Sequence, residues 1–571
     1  SYLTSKMVYL LGVSGLQSLL FILVGNTIIG VGWEMFGVWW SILWATSFLA
    51  NLTGLILSQL MNSVVAIYIT IPLLLIPQIL LCGLVIKFDD LNTNPDAATK
   101  VTAPMLATKL ILNITQQGSA KNFVYHSMLS KQIAWSENAS DEQYNLFGRT
   151  DFDGYTILTN CQKMVDAANE GDKDSYAALA KFMKAYKLFY KSLEVGDIPY
   201  SDALKGEEGV QKPKYDTQKE VMRQVLEDLE EAYTLFSSGS DFDGDPIFGG
   251  DTENWKKTVV AFELKVLTHL CKKDTDADLK VKERFARLVS SGSLMTSNAD
   301  NFQLVYSNKA GQLYPFYYTQ NKHSDYLMMS SVIIDNLKKF NDYRMFYYAS
   351  PAKAQTDKGI KDSEWDAYLS IDPSDSYSNI SVLYGKGEFC LANLRYTRVP
   401  EGEPLMRLSY AEQNFILAEG AVRGWISEDA STYYKKGIEA SMNFIADNTP
   451  DKEEYTHGRT ITQEYIQEYL AQPVIQLSGD KEKDLEMILL QRYLASFLQH
   501  PYDAYYDYRR TGYPVLPINP NTNLNTEKNK IPTRWMYPEA EFSYNPDNAN
   551  EAVQRQYNGS DDVNKLMWIL Q

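Results

Sequence analysis

Two stretches set aromatic rings among carboxamide and hydroxyl side chains, "AWSENASDEQYNLF" (134–147) and "YPFYYTQNKHSDY" (314–326). A sugar ring offers apolar C–H faces that stack on aromatic rings, and its hydroxyls need amide and carboxylate partners, so this mixture suits saccharide capture. Trp135, Tyr144, Tyr314, Phe316, Tyr317, Tyr318, Gln320 and Asn321 are the candidate ligand-binding residues. The competing reading, of at least equal weight for any one ring, packs it beneath its own loop. Aromatics make up 13% of the chain, with 39 tyrosines, which supplies rings enough for both uses.

Other chemistries lack their motifs. The five histidines (His126, His269, His323, His457, His500) are scattered and none forms HExxH, and no GxSxG nucleophile elbow occurs. Cys82, Cys161, Cys271 and Cys390 show no CxxC spacing, which argues against a zinc site or a disulfide framework. "DFDGDPIFGGDTE" (241–253) invites a calcium reading, but counting from Asp241 places Pro246 where an EF-hand loop needs Gly and Thr252 where it needs Glu. No metal, cofactor or catalytic residue is therefore expected. Arg509 and Arg510 follow Tyr502, Tyr505, Tyr506 and Tyr508; they can grip an anion, but burial of their stems against those rings or pairing with acidic neighbours is the favoured reading.

Helices must position these loops. In "SYAALAKFMKAYKLFYKSLE" (175–194) Leu179, Phe182, Met183, Tyr186, Phe189 and Tyr190 recur at steps of three and four, and in 217–236 Val221, Val225, Leu229 and Tyr233 recur at steps of four. Further helices are expected at about 254–272, 409–424, 429–447 and 482–508, with few and short strands. The pairs 156–168 with 175–194 and 409–423 with 430–445 predict a mainly α, helix-turn-helix scaffold of tetratricopeptide type, since each apolar face needs a stacked neighbour. Long loops at about 239–253, 306–330 and 350–405 are the expected seats of ligand binding.

Charge divides the chain. Of the net −17, residues 1–87 contribute +1 through Lys6, Glu34 and Lys87, so residues 88–571 carry −18. An acidic chain of this kind excludes nucleic acid as a partner. The runs Met7–Gly30, Trp39–Leu60 and Val64–Ile86 each approach the ~20 residues that cross a bilayer, predicting about three transmembrane helices ahead of the scaffold. Trp33, Trp39, Trp40 and Trp44 suggest an interfacial belt, Pro72 and Pro77 a broken third helix, and Lys6 a cytoplasmic start.

"SQLMNSVVAIYITIPLLLIPQILLCGLVIKFDDLN" (58–92) resembles the late membrane part of an ABC-2 type transporter permease, but no GxxxxGK[ST] phosphate loop follows. Beyond it stand, in order, "GDIPYSDAL" (196–204), "GGDTENWKK" (249–257), "NDYRM" (341–345), "RLSYAEQNFILAEGAVRGW" (407–425), "QRYLASFLQHPYDAYYDYRRTGYP" (491–514) and "IPTRWMYPEAEFSYNPDN" (531–548). This ordered set resembles the SusD/RagB family of outer-membrane nutrient-binding lipoproteins, from about Phe88 to Gln571. The departures are Tyr343 in place of the usual Pro and a "VVAFELKV" (259–266) without the usual Asn. The resemblance implies a non-enzymatic cell-surface protein that captures an oligosaccharide or other oligomeric nutrient and delivers it to a SusC-type TonB-dependent transporter. A membrane-embedded component of an ABC-type transporter is the alternative. The two resemblances meet at "FDDLN" (88–92), which predicts a seam: 1–87 as a fusion or assembly artefact replacing a lipoprotein signal, and 88–571 as the nutrient-binding domain.

Overall fold

A computed structural model describes residues 2–29, 36–60, 101–119, 121–137, 141–320, 326–499 and 501–571. They fall in two compact units, Ser1–Lys100 and Val101–Gln571.

In the first unit, α1 (Tyr2–Ile29) packs against α2 (Phe36–Leu60). The Trp44 indole donates to the Leu11 carbonyl (2.9 Å), Trp40 to the Gly15 carbonyl (3.1 Å), and the Asn51 amide to Ser14 Oγ (2.8 Å). Such polar links hold helices together where lipid offers no hydrophobic drive. Trp40 and Trp44, expected in an interfacial belt, are thus turned onto α1. Among the described residues one segment, Ser5–Val24, is long and apolar enough to cross a membrane. The apolar stretch of α2, Phe36–Leu52, covers about 25 Å at 1.5 Å per residue, short of the ~30 Å hydrocarbon core. The expected three spans are therefore one among the described residues; the run Val64–Ile86 and the seam at 88–92 lie outside them.

The second unit is mainly helical. Its early helices are α3 (Ala103–Thr115), α4 (Lys121–Leu129), α5 (Gly154–Asp166), α6 (Lys173–Val195), α7 (Gln218–Ser238), α8 (Thr252–His269) and α9 (Val281–Ser290). The later ones that matter here are α10 (Leu394–Arg398), α11 (Tyr410–Val422), α12 (Ala430–Asp447), α13 (Lys481–Ala495) and α14 (Pro501–Thr511). Each of α5 to α8 packs on the next, α11 packs on α12 and α13, and α8 also meets α11. Local signals set the ends: Thr217 caps α7 by accepting the Glu220 amide, and Asp251 caps α8 by accepting the Asn254 amide. The run expected as one helix at 482–508 is two, because Pro501 cannot donate a backbone hydrogen bond and opens α14 instead.

Rings from the successive helices meet in one core. Phe182 of α6 lies edge-on to Trp255 and Phe262 of α8 at 5.5 and 5.7 Å, and every one of these side chains is fully buried. Burial of each contributes about 1.5–3 kcal/mol. Two short antiparallel pairs complete the unit: β1 (Ile133–Trp135) with β3 (Leu327–Met329), and β2 (Phe302–Leu304) with β4 (Leu405–Leu408).

The acidic stretch 241–253 spends its carboxylates on its own backbone. Asp245 accepts the amides of Ile247, Phe248 and Gly250 and the indole N–H of Trp255, while Asp241 accepts the Thr252 amide. Gly250 holds φ +86°, and a Cβ there would lie 1.7 Å from the Phe242 carbonyl oxygen, so only glycine lets this loop close.

Candidate ligand-binding cleft

The loop 314–320 is an alternation of anchors and displayed groups. Tyr314 and Phe316 are fully buried against Phe123 of α4, at 5.4 and 5.5 Å between centroids. Tyr318 faces outward at 47% exposure beneath the Arg398 guanidinium of α10, edge-on to the half-buried Tyr317, and Gln320 is exposed. Gly402 packs on the Tyr314 ring with φ +54°, where a Cβ would come within 2.2 Å of the ring. Gly402→Ala is therefore expected to unseat Tyr314 and destabilise the fold by at least about 1 kcal/mol, read as a lower midpoint in urea; an unchanged midpoint would show that the ring can move aside freely.

Three of the residues expected to touch ligand are structural instead, and a fourth is nearly so. Trp135 lies in β1 with 0% exposure, its amide donating to Gln143 Oε1. Tyr144 is 6% exposed; its hydroxyl donates to the Asp375 carbonyl, and burial pushes its pKa up to about 12. The reason is Lys131, whose buried ammonium donates to the Gln143 carbonyl (2.6 Å) and Asn145 Oδ1 (2.8 Å) and folds the 142–145 loop inward. Desolvation lowers that lysine to about 7, with Glu142 and Asp372 opposing. With Tyr314 and Phe316 also interior, Tyr317, Tyr318 and Gln320 remain as surface groups; Asn321 lies outside the described residues.

Gln320 borders a polar cleft of about 460 Å³ shared with Asn113, Gln116, Gln117, Gly118, Ser119 and Tyr306. The segment 113–118 also borders a second cleft of about 650 Å³. One wall of the second cleft is aromatic: Tyr186 and Tyr190 of α6 lie 5.0 Å apart, and Tyr502 and Tyr506 of α14 stack at 6.1 Å, with His126 4.2 Å from Tyr502. The Tyr190 hydroxyl donates to Asp503 (2.9 Å). Lys187, Lys191, Glu194 and Arg407 supply charge. Gln117 Oε1 is buried with no hydrogen-bond partner among the described residues, an arrangement costing about 1–3 kcal/mol that a hydroxyl donor would relieve. A separate void of about 30 Å³ near Glu412 and Arg492 has room for water alone.

Comparison with known proteins decides the family. Residues 95–538 match the SusD-like family model, described as starch-binding and associating with the outer membrane. The chain belongs to the SusD-like family. It is similar over 82% of its length to the whole of a SusD homologue from Bacteroides fragilis, with 59% identity and a TM-score of 0.81. A second B. fragilis SusD homologue matches at 32% identity and a TM-score of 0.73, over 83% of this chain and 100% of that one. A chitin-binding SusD homologue from Flavobacterium johnsoniae shares the fold at 19% identity and a TM-score of 0.65, over 82% of this chain and 98% of that one. No curated protein matches the chain. Residues 1–97 match the ABC-2 type transporter family.

In this SusD-like chain the family motifs are architectural. Asp197 of "GDIPYSDAL" accepts the Gln218 amide at the start of α7 and pairs with Arg555, while burial pushes its pKa to about 6. Tyr343, at the position of the usual Pro, stacks on Tyr465 at 3.8 Å. Arg509 lies 4.3 Å over the Tyr506 ring and donates to the Thr533 carbonyl; Arg510 pairs with Glu419. The cleft residues Asn113, Gln116, Gln117, Lys187 and Arg407 were not among the ligand-binding residues expected from the sequence, and Tyr190 was expected only in the apolar stripe of its helix. The signals present were the amide run "NITQQ" closing α3 and lysines interleaved with tyrosines on α6.

Proposed function

We propose that this SusD-like chain is a cell-surface nutrient-binding protein that captures an oligosaccharide in the paired clefts and passes it to a SusC-type TonB-dependent transporter. The observation that carries the reading is one cleft lined both by the partly exposed rings of Tyr190 and Tyr502, backed by the buried Tyr186 and Tyr506, and by the amides of Asn113, Gln116 and Gln117. Rings and amides together suit a ligand with apolar faces and many hydroxyls. The family description and the chitin-binding title of one relative agree with a glycan. In this reading residues 88–571 are the working domain, its helix pairs form a tetratricopeptide-type scaffold that docks the transporter, and Tyr317, Tyr318 and Gln320 extend the ligand surface. The protein binds and does not catalyse. Residues 1–87 are a permease-like segment joined to it by fusion or assembly.

Calorimetric titration of the full chain against a glycan panel tests this. At least one oligosaccharide is expected to bind, and Tyr502→Ala to weaken it about three- to tenfold. Absence of binding to every glycan, with no barrel partner co-purifying, would overturn the reading.

The match of residues 1–97 to ABC-2 transporters favours a second reading, a membrane-embedded transporter component. That protein would fractionate with an ATPase subunit, whereas digestion by protease added to intact cells would remove it from consideration.

A further inference from the structure

The chain carries a net charge of −17, yet two cations in its cleft make no ion pair with a carboxylate among the described residues. Lys187 on α6 and Arg407 on β4 both border the 650 Å³ cleft, and among the described residues no carboxylate lies within ion-pair distance of either. The neighbouring charges are already satisfied: Lys191 pairs with Glu194 at 2.6 Å, and Asp503 with Lys265 at 2.9 Å. The remaining acid of the cleft, Asp151, is exposed and accepts the Asp153 amide.

Arg407 is held in place without being neutralised. Its Nε donates to the Ile114 carbonyl (2.7 Å) and its Nη2 to the Thr115 carbonyl (3.2 Å), the last residues of α3. These uncharged acceptors fix the plane of the guanidinium and leave the Nη1 side for another group. Two oxygens of one anion match that geometry. Lys187 feels the same surroundings: burial lowers its pKa, and Lys191 and Arg407 lower it further, with Glu194 opposing. A bound anion would relieve this repulsion.

We propose that the ligand is an acidic oligosaccharide, whose carboxylate or sulfate ester sits between Lys187 and Arg407 while its sugar rings lie against the tyrosine wall. The proposal rests on the nutrient-binding reading above and narrows it to one chemical class.

The test is titration of the full chain with oligogalacturonate, a sulfated oligosaccharide, a neutral oligosaccharide and an acidic peptide, at low and high ionic strength. One acidic saccharide is expected to bind, more weakly as salt rises, and the arm that responds tells carboxylate from sulfate. Lys187→Gln is expected to weaken it about tenfold or more with an unchanged unfolding midpoint. Arg407→Gln should weaken binding likewise, and Arg407→Lys should restore part of that loss. Binding of the neutral saccharide alone, indifferent to salt and to Lys187→Gln, would overturn the acidic class and leave glycan capture standing. Binding of the peptide alone, or of nothing, would overturn both.

Discussion

Arg510→Met is expected to lower the unfolding free energy by about 3–5 kcal/mol, the loss usual when one member of a buried ion pair is deleted. The Arg510 side chain is 1% exposed and grips Glu419 with both terminal nitrogens, at 2.5 and 2.7 Å, while its Nε donates to Asp507 at 2.9 Å. The pair belongs to a larger buried array. Lys265 bridges Glu412 and Asp503, Arg492 bridges Glu412 and Asp507, and Arg423 also holds Glu419. Cations and carboxylates balance in this array, so removing one cation leaves a carboxylate uncompensated in a dry interior. Adding Glu419→Leu to the first substitution should recover most of the loss.

Glu419 also gives the effect a pH signature. Burial raises its carboxyl pKa, but Arg510 and Arg423 more than reverse this and hold it at about 2, below the ordinary 4.5. A depressed carboxylate contributes stability above about pH 4.5 and loses it as pH falls towards 2. Wild type should therefore lose stability across that window more steeply than the variant in urea unfolding. A loss under about 1 kcal/mol at neutral pH would mean that the array relaxes around the gap.

Periodicity made the helices legible. Val221, Val225 and Leu229 are all buried on α7, as their spacing of four requires, and Thr217 caps that helix. Where one residue overrules the pattern, as Pro501 does, the boundary was misread. The loop 314–320 was readable as aromatic but not as alternating. Which ring turns inward depends on Phe123 and Gly402, far away in the chain. The cleft was less legible still. Asn113, Lys187, Arg407 and Tyr502 meet only through tertiary packing, and on α6 the stripe that fills the core and the residues at the cleft edge share one run of tyrosines. Trp135 and Tyr144 looked available because the buried Lys131, which pulls their loop inward, reads in sequence as a solvated charge.

Glu263→Gln is expected to stabilise the protein at pH 7 by about 2–3 kcal/mol, against the usual direction of core substitutions. Glu263 of α8 is 1% exposed, and its Oε1 has no hydrogen-bond partner among the described residues. Arg284 and Arg287 of α9 stand 4.0 and 3.9 Å away, too far to offset its burial, and both engage Glu230 more closely, Arg284 at 2.6 Å. Burial and the Glu230 charge therefore push the carboxyl up to about 8 from its ordinary 4.5, with the two arginines opposing. The folded state keeps a proton at neutral pH that the unfolded chain releases, so stability is full below about pH 4.5 and falls as pH rises to about 8. Glutamine has nearly the same shape and stays neutral throughout, and Glu230 still serves the arginines. Denaturation at pH 5 and pH 8 should show wild type weakening with pH while the variant stays nearly level, the two converging near pH 4.5. A variant less stable than wild type at pH 8 would show that Glu263 is ionised and paired with Arg284 and Arg287 after all.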